Sequence, residues 1–140
     1  MTAPKFGRAT QGSTAVEFSL LAPVLMLLVF AIIGFCVVLA TASGLQQLAA
    51  EAARASVGGL SDGERAQIVQ AFVVAHAGAY PFLDLPRLTV ATTALTAPAA
   101  FQVSLGYDLT SGIVGMVSGL IPALPTHLQR SAVVLISTAL

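Results

Sequence analysis

The stretch EFSLLAPVLMLLVFAIIGFCVVLATA, Glu17 to Ala42, opens on a carboxylate and carries no charged side chain after it. At about 1.5 Å of rise per residue, a helix from Phe18 to Ala42 is about 37 Å long, more than the hydrocarbon core of about 30 Å. One membrane-crossing helix is the expectation. Pro23 falls early in this run. It would cost an ordinary helix about 3 kcal/mol but is tolerated in membrane helices, so a kink is expected near Pro23. Cys36, the one cysteine, lies inside the run, so an intramolecular disulfide is excluded and the residue reads as a small packed side chain.

Upstream, Met1 to Gly12 is short and polar, with Lys5 and Arg8, and Pro4, Gly7 and Gly12 discourage regular structure. The positive-inside rule puts these charges in the cytoplasm and the bulk of the chain outside. Over the 140 residues, 56% are apolar and only 9% charged, against about a quarter charged in an ordinary globular protein. Much of the surface must face lipid or other subunits. Basic and acidic residues balance at six each with no run of either sign, which leaves no footprint for nucleic acid.

Downstream, Leu45, Leu48, Ala49, Ala52 and Ala55 recur at helical spacing, while Gln46, Gln47, Glu51 and Arg54 take the opposite face. The membrane helix therefore continues as an amphipathic rod until Gly58 and Gly59. Ser61 and Glu64 form a capping-box pattern for a second helix, with Ile68, Val69, Phe72, Val73 and Ala75 as its buried face up to about Gly78. Tyr80, Pro81 and Pro86 end it. The period then drops to two: Phe101, Val103, Leu105, Tyr107 and Leu109 alternate with Gln102, Ser104, Gly106 and Asp108, as in a strand with one buried face. Leu88 to Leu95 and Gln129 to Thr138 supply two more β-prone segments. Three strands make a small antiparallel sheet, covered by the outer half of the long helix and by the second helix. Thr110 to His127 is uncharged and apolar but cut by Pro122 and Pro125. It reads as a short helix or loop packed on the sheet, or else against a neighbouring subunit. The Gly115–Gly119 pair sits outside an apolar segment long enough to give a GxxxG spacing meaning.

The junction from Gln11 to Phe18, QGSTAVEF, concentrates the chemistry. A carboxylate at the mouth of a membrane helix costs less than the roughly 2.5–3.5 kcal/mol it would cost at the centre, so Glu17 could simply stay wet. Yet these residues resemble the class III signal of type IV pilin-like proteins, where a basic leader ends in glycine and the mature chain has glutamate fifth, followed by an aromatic. Gly12 would close the leader, Ser13 would be the new N-terminus, and Glu17 and Phe18 would be the glutamate and its aromatic. The longer string GSTAVEFSLLAPVL, with Pro23, resembles the TadE-like minor pseudopilins of the tight-adherence (Flp pilus) apparatus.

The resemblance implies cleavage between Gly12 and Ser13 by a prepilin peptidase. It implies pilin and pseudopilin subunits and an inner-membrane assembly platform as partners, and a role in pilus biogenesis, adherence and biofilm formation. It implies no cofactor and no small-molecule substrate. The expected organisation is an α+β, type IV pilin-like chain: a cytoplasmic leader at 1–12, a transmembrane and amphipathic helix at 13–57, and an extracytoplasmic helix-plus-sheet head at 58–140.

Two other classes compete. Ala40-Thr41-Ala42 before Ser43 makes an A-x-A site, as in a secretory signal peptide, although the apolar run exceeds the usual seven to fifteen residues. A membrane-anchored envelope-binding protein that keeps its leader is a related alternative. Catalysis has little to draw on: there is no GxSxG elbow, and His76 and His127 lack motif context. Asp62, Asp84 and Asp108 show no metal-ligand spacing, and no glycine-rich phosphate loop follows a strand.

Overall fold

A computed structural model of the chain describes residues 10–96 and 98–136, with side chains from residue 14 onward. Lys5 and Arg8, most of the expected leader, and Thr138 at the end of the third β-prone segment lie outside the described residues. The elements in order are helix α1 (Thr10–Ala55), helix α2 (Asp62–His76), strands β1 (Leu88–Thr96) and β2 (Ala99–Asp108), the short helix α3 (Ile113–Ser118) and strand β3 (His127–Leu135). This is the expected α+β layout.

α1 runs unbroken for 46 residues and passes through Pro23. It is long and apolar enough to cross a membrane. It begins at Thr10, so the segment reaching Gly12 is helical where glycine was expected to discourage regular structure. A glycine inside a helix costs only about 1 kcal/mol, which a continuous flanking helix offsets. At its other end a 3-10 turn, Ser56–Gly58, follows Ala55. The buried Ser56 hydroxyl donates to the Ala53 carbonyl at 2.6 Å, which satisfies a polar group that the core would otherwise strand.

The outer part of α1 and the turn after it bury one stripe: Val38, Thr41, Ala42, Leu45, Leu48, Ala49, Ala52, Ala53 and Ser56. The intervals of three and four keep these side chains on the face turned to the sheet. Four of them are alanine, so the helix backbone approaches β2 and β3 closely. Thr41 reaches this core because its hydroxyl donates to the Val37 carbonyl at 2.8 Å.

The sheet order is β1-β2-β3, antiparallel throughout. Val103 of β2 pairs with Thr92 of β1 and with Ala132 of β3, and Leu105 pairs with Val90 and Arg130. Being central, β2 shows the two-residue alternation most clearly: Phe101, Val103, Leu105 and Tyr107 are buried, while Gln102, Ser104, Gly106 and Asp108 are half-buried on the face no helix covers. At Gly106 an added Cβ would meet the Thr89 hydroxyl of β1, which would have to turn aside.

α2 is capped as its sequence predicts: Ser61 Oγ accepts from the Glu64 N–H at 3.2 Å. The Glu64 carboxylate reaches back to the Leu60 N–H at 2.9 Å, one residue before the N-cap. Its buried side chains are Val69 and Val73, continued by Ala77 after the helix ends. Ala75 is exposed, contrary to expectation, because the packed face follows a strict four-residue interval and Ala75 falls off it. α3 packs mainly against α1, which the sequence did not indicate, and Val114 and Val117, with Leu124 beyond its end, join the core shared with the sheet.

Leu45 is fully buried in the α1 stripe, so Leu45→Ala should destabilise the head by about 2–5 kcal/mol, whereas Gln47→Ala on the exposed face should change it by less than about 0.5 kcal/mol. Urea titration of the detergent-solubilised chain, followed by the fluorescence of Tyr80 and Tyr107, measures both.

Candidate functional site

From Thr14 to Phe30 every side chain of α1 is exposed except Ala22, which is half-buried. Phe18, Leu20 and Leu21 are each about two-thirds exposed or more, at 67%, 78% and 64%. A soluble monomer rarely shows so large a contiguous apolar surface, which must be covered by lipid or by other helices. Glu17 stands at the start of this surface, exposed. It is one helical turn from Ser13, since residues four apart lie on the same face.

The junction residues divide between faces. Phe18, Leu21, Ala22, Leu25 and Leu28 line one shallow apolar groove along α1. Pro23, with Met26, Leu27 and Phe30, lines another, opposite Met116, Val117, Leu120 and Ile121 of the α3 segment. The structure therefore does not bring Phe18 and Pro23 together. The Pro23 ring removes the N–H that would pair with the Ser19 carbonyl. One turn earlier, the Ser19 hydroxyl donates to the Val16 carbonyl at 2.7 Å. Gly12 and Ser13 lie within α1, and their side-chain surroundings fall outside the described residues.

The head presents a cluster of polar groups at the base of the sheet. Asp108 Oδ1 accepts from the Thr110 N–H at 2.7 Å and lies 3.9 Å from His127 Nδ1. Arg87 donates to the Ser111 carbonyl at 3.1 Å, with Asp84 at 3.9 Å. The Thr110 N–H, together with the nearby His127 and Arg87, holds the Asp108 carboxyl below the usual carboxylate range. Further along, burial and the Glu51 carboxylate, which accepts the Tyr80 hydroxyl at 2.8 Å, push the Tyr80 phenol up. These contacts tie loops to strands and to α1.

His76 ends α2, stacks on Phe72 at 4.1 Å and faces solvent, far along the fold from His127 at the start of β3. No group of three or more His, Cys, Asp or Glu that could hold a metal ion occurs among the described residues. Cys36, expected to be packed, is exposed on the apolar surface of α1.

Residue spacing missed the placement of the α3 segment. Leu124 packs against Gly34, where an added Cβ would sit 3.3 Å from Leu124 Cδ1, so a glycine in the middle of the apolar run is a docking point for the head. The signal available was the absence of any charge between Asp108 and His127. Gly115 of the Gly115–Gly119 pair has a local task instead: a Cβ there would collide with the Thr110 carbonyl.

In a comparison with protein families, the model of the TadE-like proteins matches residues 12–54. Comparisons with curated proteins and with solved structures return no match. The matched segment begins at the glycine of the entry junction, includes Glu17, Phe18 and Pro23, and ends one residue before α1 does.

Because the folded-state value of Asp108 is lowered, its hydrogen bond to Thr110 favours the fold above the ordinary carboxylate range. That contribution is lost as pH falls through the lowered value. Carboxyl-carbon NMR should find the Asp108 midpoint below 3.8, and Asp108→Asn should flatten the acid limb of the stability profile.

Proposed function

We propose that this chain, TadE-like across residues 12–54, is a minor pseudopilin-type component of a tight-adherence pilus system, acting in assembly and not in catalysis. The observation that carries the reading is the coincidence of that match with α1, one continuous helix whose first half is an uncovered apolar surface headed by Glu17. TadE-like proteins are a structural kind of protein, and a long apolar helix at this position is a membrane anchor.

In this reading a prepilin peptidase cuts between Gly12 and Ser13 on the cytoplasmic side of the inner membrane, removing Lys5 and Arg8 and leaving an ammonium on Ser13. Glycine is the residue at which a helix opens at least cost, which suits a scissile position inside α1. Glu17 is the one charge in the sequence between Arg8 and Glu51. Its carboxylate pairs with the Ser13 ammonium of an adjacent subunit, an attraction strengthened by the low dielectric at the edge of the hydrocarbon. The pair sets the register in which subunits dock. Phe18 and the groove it heads then supply the helix-to-helix contact, and Pro23 bends the helix on the opposite face.

On extraction from the bilayer, Leu20, Leu21, Leu25, Leu28, Phe30 and Ile33 exchange lipid for neighbouring helices of pilin and pseudopilin subunits on the assembly platform. Apolar surface is disfavoured in water by about 25 cal/mol per Å², so the subunit passes from membrane to assembly without a free soluble stage. Adherence and biofilm formation are the downstream outcome.

Secretory cleavage after Ala42 would divide one continuous helix and take Val38, Thr41 and Ala42 out of the head core. Co-expression with a prepilin peptidase should yield a mature chain that reads Ser-Thr-Ala-Val-Glu. A chain reading Ser-Gly-Leu-Gln, or one that still begins at Met1, would overturn the proposal. Glu17→Ala should leave the head folded and weaken co-purification with partner subunits by roughly 30-fold or more, the scale of truncating one member of a desolvated charge pair.

A further inference from the structure

We infer that the segment 112–124, built around α3, is a re-entrant foot that inserts into the head-side leaflet of the same bilayer that α1 crosses. The inference rests on α1 crossing the membrane and adds a second membrane contact.

The charges of the head stop at one level. Asp84 and Arg87 gather with Tyr107, Ser111 and Gly112 beside Val37 of α1, and Asp108 and His127 lie at the same end of the sheet, paired across β2 and β3. From Glu17 to Val37, at about 1.5 Å per residue, α1 rises about 30 Å, the thickness of the hydrocarbon core. Within that slab neither α1 nor the 112–124 segment carries a charged side chain. The segment descends alongside α1: Leu124 meets Gly34, and Met116 and Leu120 stand opposite Met26 and Leu27, about halfway down.

Its outer surface is apolar. Ile113, Met116 and Leu120 are 53%, 79% and 70% exposed, and they continue the exposed surface of α1. In water this would be a penalty on both elements; in a leaflet it is none.

Several backbone groups of the segment find partners within the protein, as hydrocarbon demands. The Met116 N–H donates to the Gly112 carbonyl at 3.1 Å, those of Leu120 and Ile121 to Val117 at 2.9 and 2.8 Å, and that of Leu124 to Ile121 at 3.2 Å. The Ser118 hydroxyl donates to the Gly115 carbonyl at 2.9 Å. Pro122 and Pro125 have no N–H to satisfy. On the inner side, Val114, Val117 and Leu124 are buried in the core that α1 completes, so one face of the foot is covered by protein.

At the upper edge Phe82 is 55% exposed and holds a left-handed backbone, φ 69°, which is unfavourable for an aromatic residue. Its side chain lines the same recess as Val37 and Arg87, which this placement puts at the depth of the lipid headgroups.

Spin labelling of the full chain tests this. In a Cys36→Ala background, single cysteines are placed at Met116, Leu120, Leu28 and Gln129, labelled with a nitroxide and reconstituted at high dilution into phosphatidylcholine–phosphatidylglycerol vesicles. The ratio of collisions with oxygen to collisions with a water-soluble nickel chelate reports depth. The expected result is that Met116 and Leu120 match Leu28 in α1 and stand well above Gln129 on the open face of the sheet. A ratio at Met116 and Leu120 equal to that at Gln129, with Leu28 still lipid-exposed, would overturn the foot and leave the anchor standing. Occlusion of Met116 from both reagents, with spin–spin broadening between copies, would assign the surface to a second subunit and also overturn it. Aqueous values at Leu28 would remove the anchor and the foot together.

Discussion

One helix in this chain serves two solvents, and its stripe from Val38 to Ala53 is what joins them. That stripe lies against β2 and β3 on the same continuous helix that begins in the apolar half. A sheet of three strands with one apolar face is stable only when that face is covered. Most of the cover comes from a helix that also has to be long and greasy enough to enter a membrane. Alanine at 42, 49, 52 and 53 resolves the two demands: it is an excellent helix former and small enough to let the sheet approach. Leu45, Leu48 and Val38 fill the remaining volume.

Other features answer to that contact. α2 leans on the same helix through Val69 and Val73, and the Tyr80–Glu51 hydrogen bond pins the loop that follows α2 to the exposed edge of α1. The Gln46 amide donates to the Ser131 carbonyl at 3.3 Å, tying the helix to the edge strand β3. Even the polar cluster around Asp108 owes its position to Leu109 and Tyr107, whose side chains are buried in that core.

The elements with strong periods were legible. The β2 alternation from Phe101 to Tyr107 could only be a half-buried strand, and the Ser61–Glu64 spacing marked the start of α2, because each signal depends on neighbours in sequence. Ala75 was misplaced because two residues of difference in helical phase separate a buried site from an exposed one, and only the packed partner fixes that phase. Cys36 was misread for the same reason: an apolar run gives no phase at all when every side of it is apolar. The α3 segment was least legible, since its partner is Gly34, a residue with no side chain to advertise a contact. At the entry junction the candidate residues Gly12, Ser13, Glu17, Phe18 and Pro23 came from the sequence alone. The TadE-like family model spans that junction within residues 12–54, and the fold places Phe18 and Pro23 in different grooves of α1.

The unbroken course of α1 has a mechanical meaning. Where a flexible tether joins an anchor to a domain, the domain tumbles and its bearing is arbitrary. Here each residue turns the chain by about 100° and lifts it by about 1.5 Å, so the compass direction of the sheet around the anchor axis is locked to the direction in which Glu17 points. A tug on the lower end reaches the sheet as both translation and torque. A neighbour that grips one end of this rod thereby dictates which way the other end looks.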